Sequence, residues 1–196
     1  MPRSGRPRTF DHDDVVDRAM GLFWRRRGYG ATSIRDLQDA VGVLPGSLYA
    51  AYGDKHGLFL LALERYAQRT RAEADALAGD GPVLPRVRAL VVGVLGAAAE
   101  APGRGCMLGN AAVESVPDDR EATDIVSDAL DALEVAIEAA IEAGQDSGEV
   151  RDDVDAGAYA RMLVALIQGL HVVARVEDDP GRLGDAVDAA LEPLAA

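Results

Sequence analysis

The chain has 196 residues, of which 48% are apolar and 5% aromatic, and it carries a single cysteine. That length and composition allow one large or two small domains with a buried core, and they exclude a disordered chain or one stapled by internal disulfides. The net charge of −13 hides an asymmetry: residues 1–71 hold 12 Lys or Arg against 8 Asp or Glu, whereas residues 72–196 hold 8 against 25. A basic head on an acidic body fits a nucleic-acid partner, and it equally fits a solvated acidic surface.

Arg3, Arg6 and Arg8 come first, in an arm that contains Pro and Gly. Such an arm can lie along phosphates or enter a minor groove, or it can be a tail kept soluble by charge. No apolar stretch follows these arginines, and the longest apolar run (89–99) is too short to span a bilayer, so a cytoplasmic protein without a membrane partner is expected.

The first helix should begin at Asp11, whose side chain can cap it, with Val15, Ala19, Leu22 and Phe23 forming one apolar stripe before Gly28 stops it. Thr32 and Ser33 open a second helix, and Ser33 with Asp36 resembles a capping box. Gly42 supplies a turn, a short third helix runs from Pro45 to Ala51, and Gly53-Asp54 breaks the chain before a fourth helix from Lys55 to about Leu77. A loop at 79–85 precedes helices near 86–100, 106–115, 119–147, 154–176 and 180–194. The acidic pairs Asp118-Asp119, Asp152-Asp153 and Asp178-Asp179 each stand at a helix start, where capping explains them better than metal binding or acid–base chemistry.

Residues 32–52 carry the functional signal. A helix, a tight turn with Gly and a second short helix can place that second helix in a major groove, although a corner in an ordinary helical core reads the same way. The ordered run from Arg8 to Tyr66 adds specificity. Its first helix ends LFWRRRGYGATS, and IRDLQDAVGV and GSLYAAYGDKHGLF follow. This run resembles the N-terminal domain of the TetR family of repressors. Two departures stand out: Leu44 occupies a position where a Ser or Thr cap is common, and Ala51-Tyr52 replaces a common His-Phe pair.

The resemblance implies an all-α protein of about nine helices, with a helix-turn-helix DNA-binding domain at 1–53 and a larger effector-binding and dimerisation domain at 54–196. It implies phosphate contacts from Thr32, Ser33, Tyr49 and Lys55, and contacts to backbone or base edges from Arg35 and Gln38. Pro45, Gly46 and Ser47 would face the bases. It also implies double-stranded operator DNA and a small-molecule effector as partners, and a homodimer joined through Leu163, Leu166, Ile167, Gly169, Leu170, Val173, Leu183, Val187 and Leu191. The same apolar stripe would serve a core within one chain. The segment GRGCMLGNAAVE (103–114) is similar to a stretch at the pocket edge in one branch of the family. Candidate effector contacts are Tyr66, Met107, Asn110, Glu114, Met162, Gln168 and His171.

Cys106 is a further candidate. Near Arg104 and a helix start its thiol would ionise readily and sense electrophiles or oxidants, whereas a buried cysteine would be a small apolar filler. An enzyme is the rival class. His12, His56 and His171 have no metal-ligand spacing, no nucleophile elbow or phosphate loop is present, and no cofactor or metal is expected. A helical protein-binding adaptor is the third class, and it leaves the arginine arm and the Tyr49/Lys55 pattern unexplained.

Overall fold

The computed structural model describes residues 11–26, 28–101, 103–115 and 118–196. Arg3, Arg6 and Arg8 lie outside the described residues. Among the described residues the chain forms nine α-helices: α1 (His12–Arg26), α2 (Ile34–Val41), α3 (Pro45–Tyr52), α4 (Lys55–Asp75), α5 (Val83–Glu100), α6 (Met107–Glu114), α7 (Arg120–Ser147), α8 (Ala156–Val173) and α9 (Pro180–Leu191). Short 3-10 turns follow α4 and α9.

Local chemistry sets most of these boundaries. Asp54, Asp119, Asp155 and Asp179 each accept a backbone N–H at the start of α4, α7, α8 and α9; one such cap contributes about 1 kcal/mol. The cap of α8 is therefore Asp155 and not the expected Asp152-Asp153 pair; the Asp153 carboxylate instead pairs with Arg151. α5 starts earlier than expected because Glu149, distant in sequence, accepts the N–H groups of Val83 and Leu84 at 2.6 and 2.8 Å.

Two apolar cores follow one another along the molecule. The first joins α1, α2, α3, the first half of α4, α6 and the start of α7, with Phe23 edge-on to Phe59 at 5.2 Å. The second joins the end of α4, α5, α8, α9 and the remainder of α7. α4 and α7 run through both, as their buried faces require: Ala122, Val126, Ala129, Leu133, Ile137, Ala140 and Ile141 recur at steps of four and three along α7. α8 is long and apolar enough to cross a membrane by length and composition. Here it packs against α5 and α7.

Candidate nucleic-acid interface and ligand cavity

α2 and α3 form the helix-turn-helix. Ser33 and Asp36 make the reciprocal capping box at the start of α2, and Gly42, at φ 69°, ends the helix in a conformation that a side chain would strain. Leu37, Val41 and Leu48 are buried and lock the two helices into the first core. Among the residues left outside are Arg35, Asp39, Leu44, Pro45, Gly46, Ser47 and Tyr49, all exposed, with Gln38 half-buried beside Tyr49. Tyr52 ties the end of α3 to α1 through a 3.1 Å hydrogen bond between its hydroxyl and His12 Nδ1.

Three residues expected at phosphates are engaged within the chain. Thr32 is fully buried; its hydroxyl donates to the Gly28 carbonyl at 2.9 Å and its N–H donates to the Tyr29 carbonyl, so both donors are used within the chain. Ser33 uses its N–H and its hydroxyl on Asp36, whose carboxylate occupies the helix N-terminus where a phosphate was expected. That carboxyl is held below its usual range, chiefly by the Ser33 hydroxyl, and it also receives Arg26 at 2.9 Å. Lys55 donates at 2.8 Å to the carbonyls of both Tyr29 and Thr32, and its ammonium lies 3.8 Å from the centre of the Tyr29 ring. It holds the α1–α2 turn onto α4.

The same turn is grasped from the other side. Glu114, at the end of α6, accepts the N–H groups of Tyr29 and Gly30 at 2.7 and 2.6 Å. Gly28 makes this approach possible: its φ is 142°, and a Cβ there would overlap the Glu114 carboxylate. Glu114 thus belongs to the junction of head and body and not to the effector pocket. Nearby, His56 Nε2 meets the Asp119 carboxylate at 2.7 Å and fastens the start of α4 to the start of α7.

A cavity of about 600 Å3 lies between α1, α4, α5, α7, α8 and the start of α6. Of the expected effector residues, Tyr66, Cys106, Gln168 and His171 line it, together with Trp24, Glu73, Arg86 and a set of apolar side chains. Met107 is buried in the first core, and Asn110 is bonded to Arg104 and Arg175. Met162 is 40% exposed on the outer side of α8, so these three do not line the cavity. His171 is depressed to about 4, first by burial and then by Arg175, so it is neutral at pH 7. Of the two readings of Cys106, its environment is that of the buried filler: burial pushes its thiol up, opposite to the activation that a neighbouring Arg104 would give. Arg104 stacks over the Trp24 ring instead.

Most of the expected dimer stripe is used inside the chain. Leu163, Ile167, Leu170, Leu183, Val187 and Leu191 are all buried within one chain, and Leu166 packs against the same core. The apolar surface left on α8 is the next face round the helix. Ala158, Met162, Ala165, Gly169, Val172 and Val173 recur at helical spacing and are exposed, Val172 at 62%, and Val176, in the turn after the helix, extends this surface at 83% exposure. Gly169 and Val173 are the two expected residues that belong to it.

Comparison with known proteins fits this geometry. Residues 15–62 match the family described as bacterial regulatory proteins, tetR family, and residues 83–190 match the tetracyclin repressor-like C-terminal domain. The chain is 33% identical to the uncharacterized HTH-type transcriptional regulator YezE of Bacillus subtilis, over 97% of this chain and 99% of that one. It is 31% identical to the HTH-type transcriptional repressor ComR of Escherichia coli, over 87% of this chain and 82% of that protein. Among solved structures, a cysteine-substituted mutant of the TetR-family regulator CifR, complexed with 26-bp double-strand operator DNA, superposes with a TM-score of 0.83. That mutant is 32% identical, and the match covers 97% of this chain and all of CifR. The helix-turn-helix, the helical body and these matches together place the chain in the tetR family of bacterial regulatory proteins, as a DNA-binding transcriptional regulator.

Proposed function

We propose that the chain is a cytoplasmic homodimeric repressor with no catalytic step, released from a palindromic operator when a small molecule enters the cavity between α1, α4, α5, α7 and α8. One observation carries this reading: both ends of the short helix α6 are engaged. Cys106 and Leu108 form part of the cavity wall at its start, and Glu114 grips the turn of the helix-turn-helix at its end. Eight residues of helix span about 12 Å, so a ligand that shifts the start of α6 moves the turn. Trp24 offers a second route, because it lines the cavity from α1 and donates to the Gly105 carbonyl at 2.7 Å. A ligand that favours one position of α6 shifts the population between DNA-competent and released heads. The outward face of α8 supports the dimer that two half-sites require.

The test pairs operator release with cavity filling. Full-length protein is bound to an operator selected from random duplex DNA, and a compound collection is screened for release. Gly93, on the cavity wall with open space beside its Cα, is then changed to Leu. Gly93→Leu should bind operator as before and require at least tenfold more of the releasing compound. Unchanged release would place the ligand elsewhere.

A further inference from the structure

α3 is the helix that faces DNA, yet the nine residues from Leu44 to Tyr52 include no Arg, Lys, Asn, Gln, Asp, Glu or His. Those are the side chains that make the bidentate or charged bonds by which base edges in the major groove are told apart. Ser47 and Tyr49 are the polar side chains that the helix leaves exposed. The remaining exposed residues at its leading end are Leu44, Pro45 and Gly46.

Leu44 is the anomaly. It sits at the N-cap of α3, makes no capping bond, and is 76% exposed. A Ser or Asp in its place would satisfy a free backbone N–H, and a leucine surrenders that cap while also holding an isobutyl group in water. Neither feature serves the fold: the anchor of α3 is Leu48, four residues on, which is buried. Beyond Leu44, Gly46 has no atom within 4 Å of the place a Cβ would take, so the surface beside it is open to a close approach.

We propose that Leu44 is a specificity-determining residue that reads the C5 methyl group of a thymine in each operator half-site. The major groove presents one apolar group, and it is that methyl. The proposal rests on α3 being the groove-entering helix of a DNA-binding regulator. Desolvation then explains an exposed leucine without a cap: water leaves both the isobutyl group and the methyl on binding.

The experiment selects a preferred operator from random duplex DNA with the full-length dimer, then replaces each dT singly by dU, which removes the methyl and leaves the base-pairing edge intact. One symmetric pair of positions should respond, losing about fourfold per half-site, the value of one buried methyl, and about fifteenfold when both half-sites are changed. Leu44→Ala, present in both subunits, should show the loss of about fifteenfold on the dT operator and no further loss on the operator with dU in both half-sites. Leu44→Ser restores a cap, so it should melt at a higher temperature while selecting a different base there. That pairing keeps a loss of binding distinct from a loss of folding. Losses from Leu44→Ala and dU that multiply instead of overlapping would overturn the proposal, as would a Leu44→Ala effect equal on operator and random DNA. If the selection enriched no sequence at all, the regulator reading itself would fail, and this inference with it.

Discussion

Thr32, Ser33 and Lys55 all stand within one turn of a helix N-terminus, where hydroxyl and ammonium groups meet free backbone donors and suit a phosphate. In the folded chain each is engaged within the protein: Ser33 on the Asp36 carboxylate, and Thr32 and Lys55 on carbonyl groups at Gly28, Tyr29 and Thr32 that helix hydrogen bonds do not reach. Lys55 serves two of them. The expected consequence of Lys55→Met is loss of stability in the absence of DNA, by about 1–3 kcal/mol, the cost of removing a charged donor that leaves the Thr32 carbonyl unpartnered and the Tyr29 carbonyl with the Thr32 N–H alone. Thermal melting of the free protein checks this. A phosphate contact predicts the opposite profile: unchanged melting, with the salt dependence of DNA binding shallower by about one ion. The capping box at Ser33 and Asp36 was legible because its partners are three residues apart. The Lys55 bonds were not, since they join residues 23 and 26 positions apart across a turn whose shape only the packed core defines.

At the scale of elements the head and body share more than a linker. The first core already includes α6 and the start of α7, so the helix-turn-helix rests on the body over a continuous apolar contact. Lys55, Glu114 and the His56–Asp119 pair fasten its edge. Helix order and approximate bounds follow from periodicity and caps, which are local, and α2, α3, α4 and α7 start within a residue or two of expectation. The role of Glu114 is not local: it depends on Gly28 and Gly30 leaving room 84 residues earlier in the chain. Glu114→Gln keeps the side-chain length and one strong acceptor but loses the second oxygen and the charge. Amide hydrogen exchange at Tyr29 and Gly30 should rise by about 10- to 100-fold, the range expected when a charged acceptor worth roughly 1.5–3 kcal/mol is lost. Exchange at Leu37, in the middle of α2, should stay as it was. Equal exchange at all three amides in both proteins would show that α6 does not hold the turn.

For the whole molecule the decisive question is which face of α8 meets a second copy. The helix is apolar nearly all round, so a stripe drawn on the sequence can fall on either side, and the bulkier residues drew it toward Leu163, Ile167 and Leu170. Packing within one chain claims that side, because α5 and α7 surround it and those leucines fill the space between them. The smaller residues Ala165, Gly169 and Val172 are left outside, on a surface that lets two helices approach closely. Val172→Asp places an uncompensated charge on that surface without touching the core. The variant should therefore fold with an unchanged helical spectrum and sediment as a monomer at micromolar concentration. Its operator affinity should fall by at least about 100-fold, since one head then reads one half-site. Leu163→Ala gives the contrasting result: it empties a fully buried site and should cost about 2–5 kcal/mol of stability. If Val172→Asp still sedimented as a dimer, a surface other than the outward face of α8 would hold the two heads at their spacing.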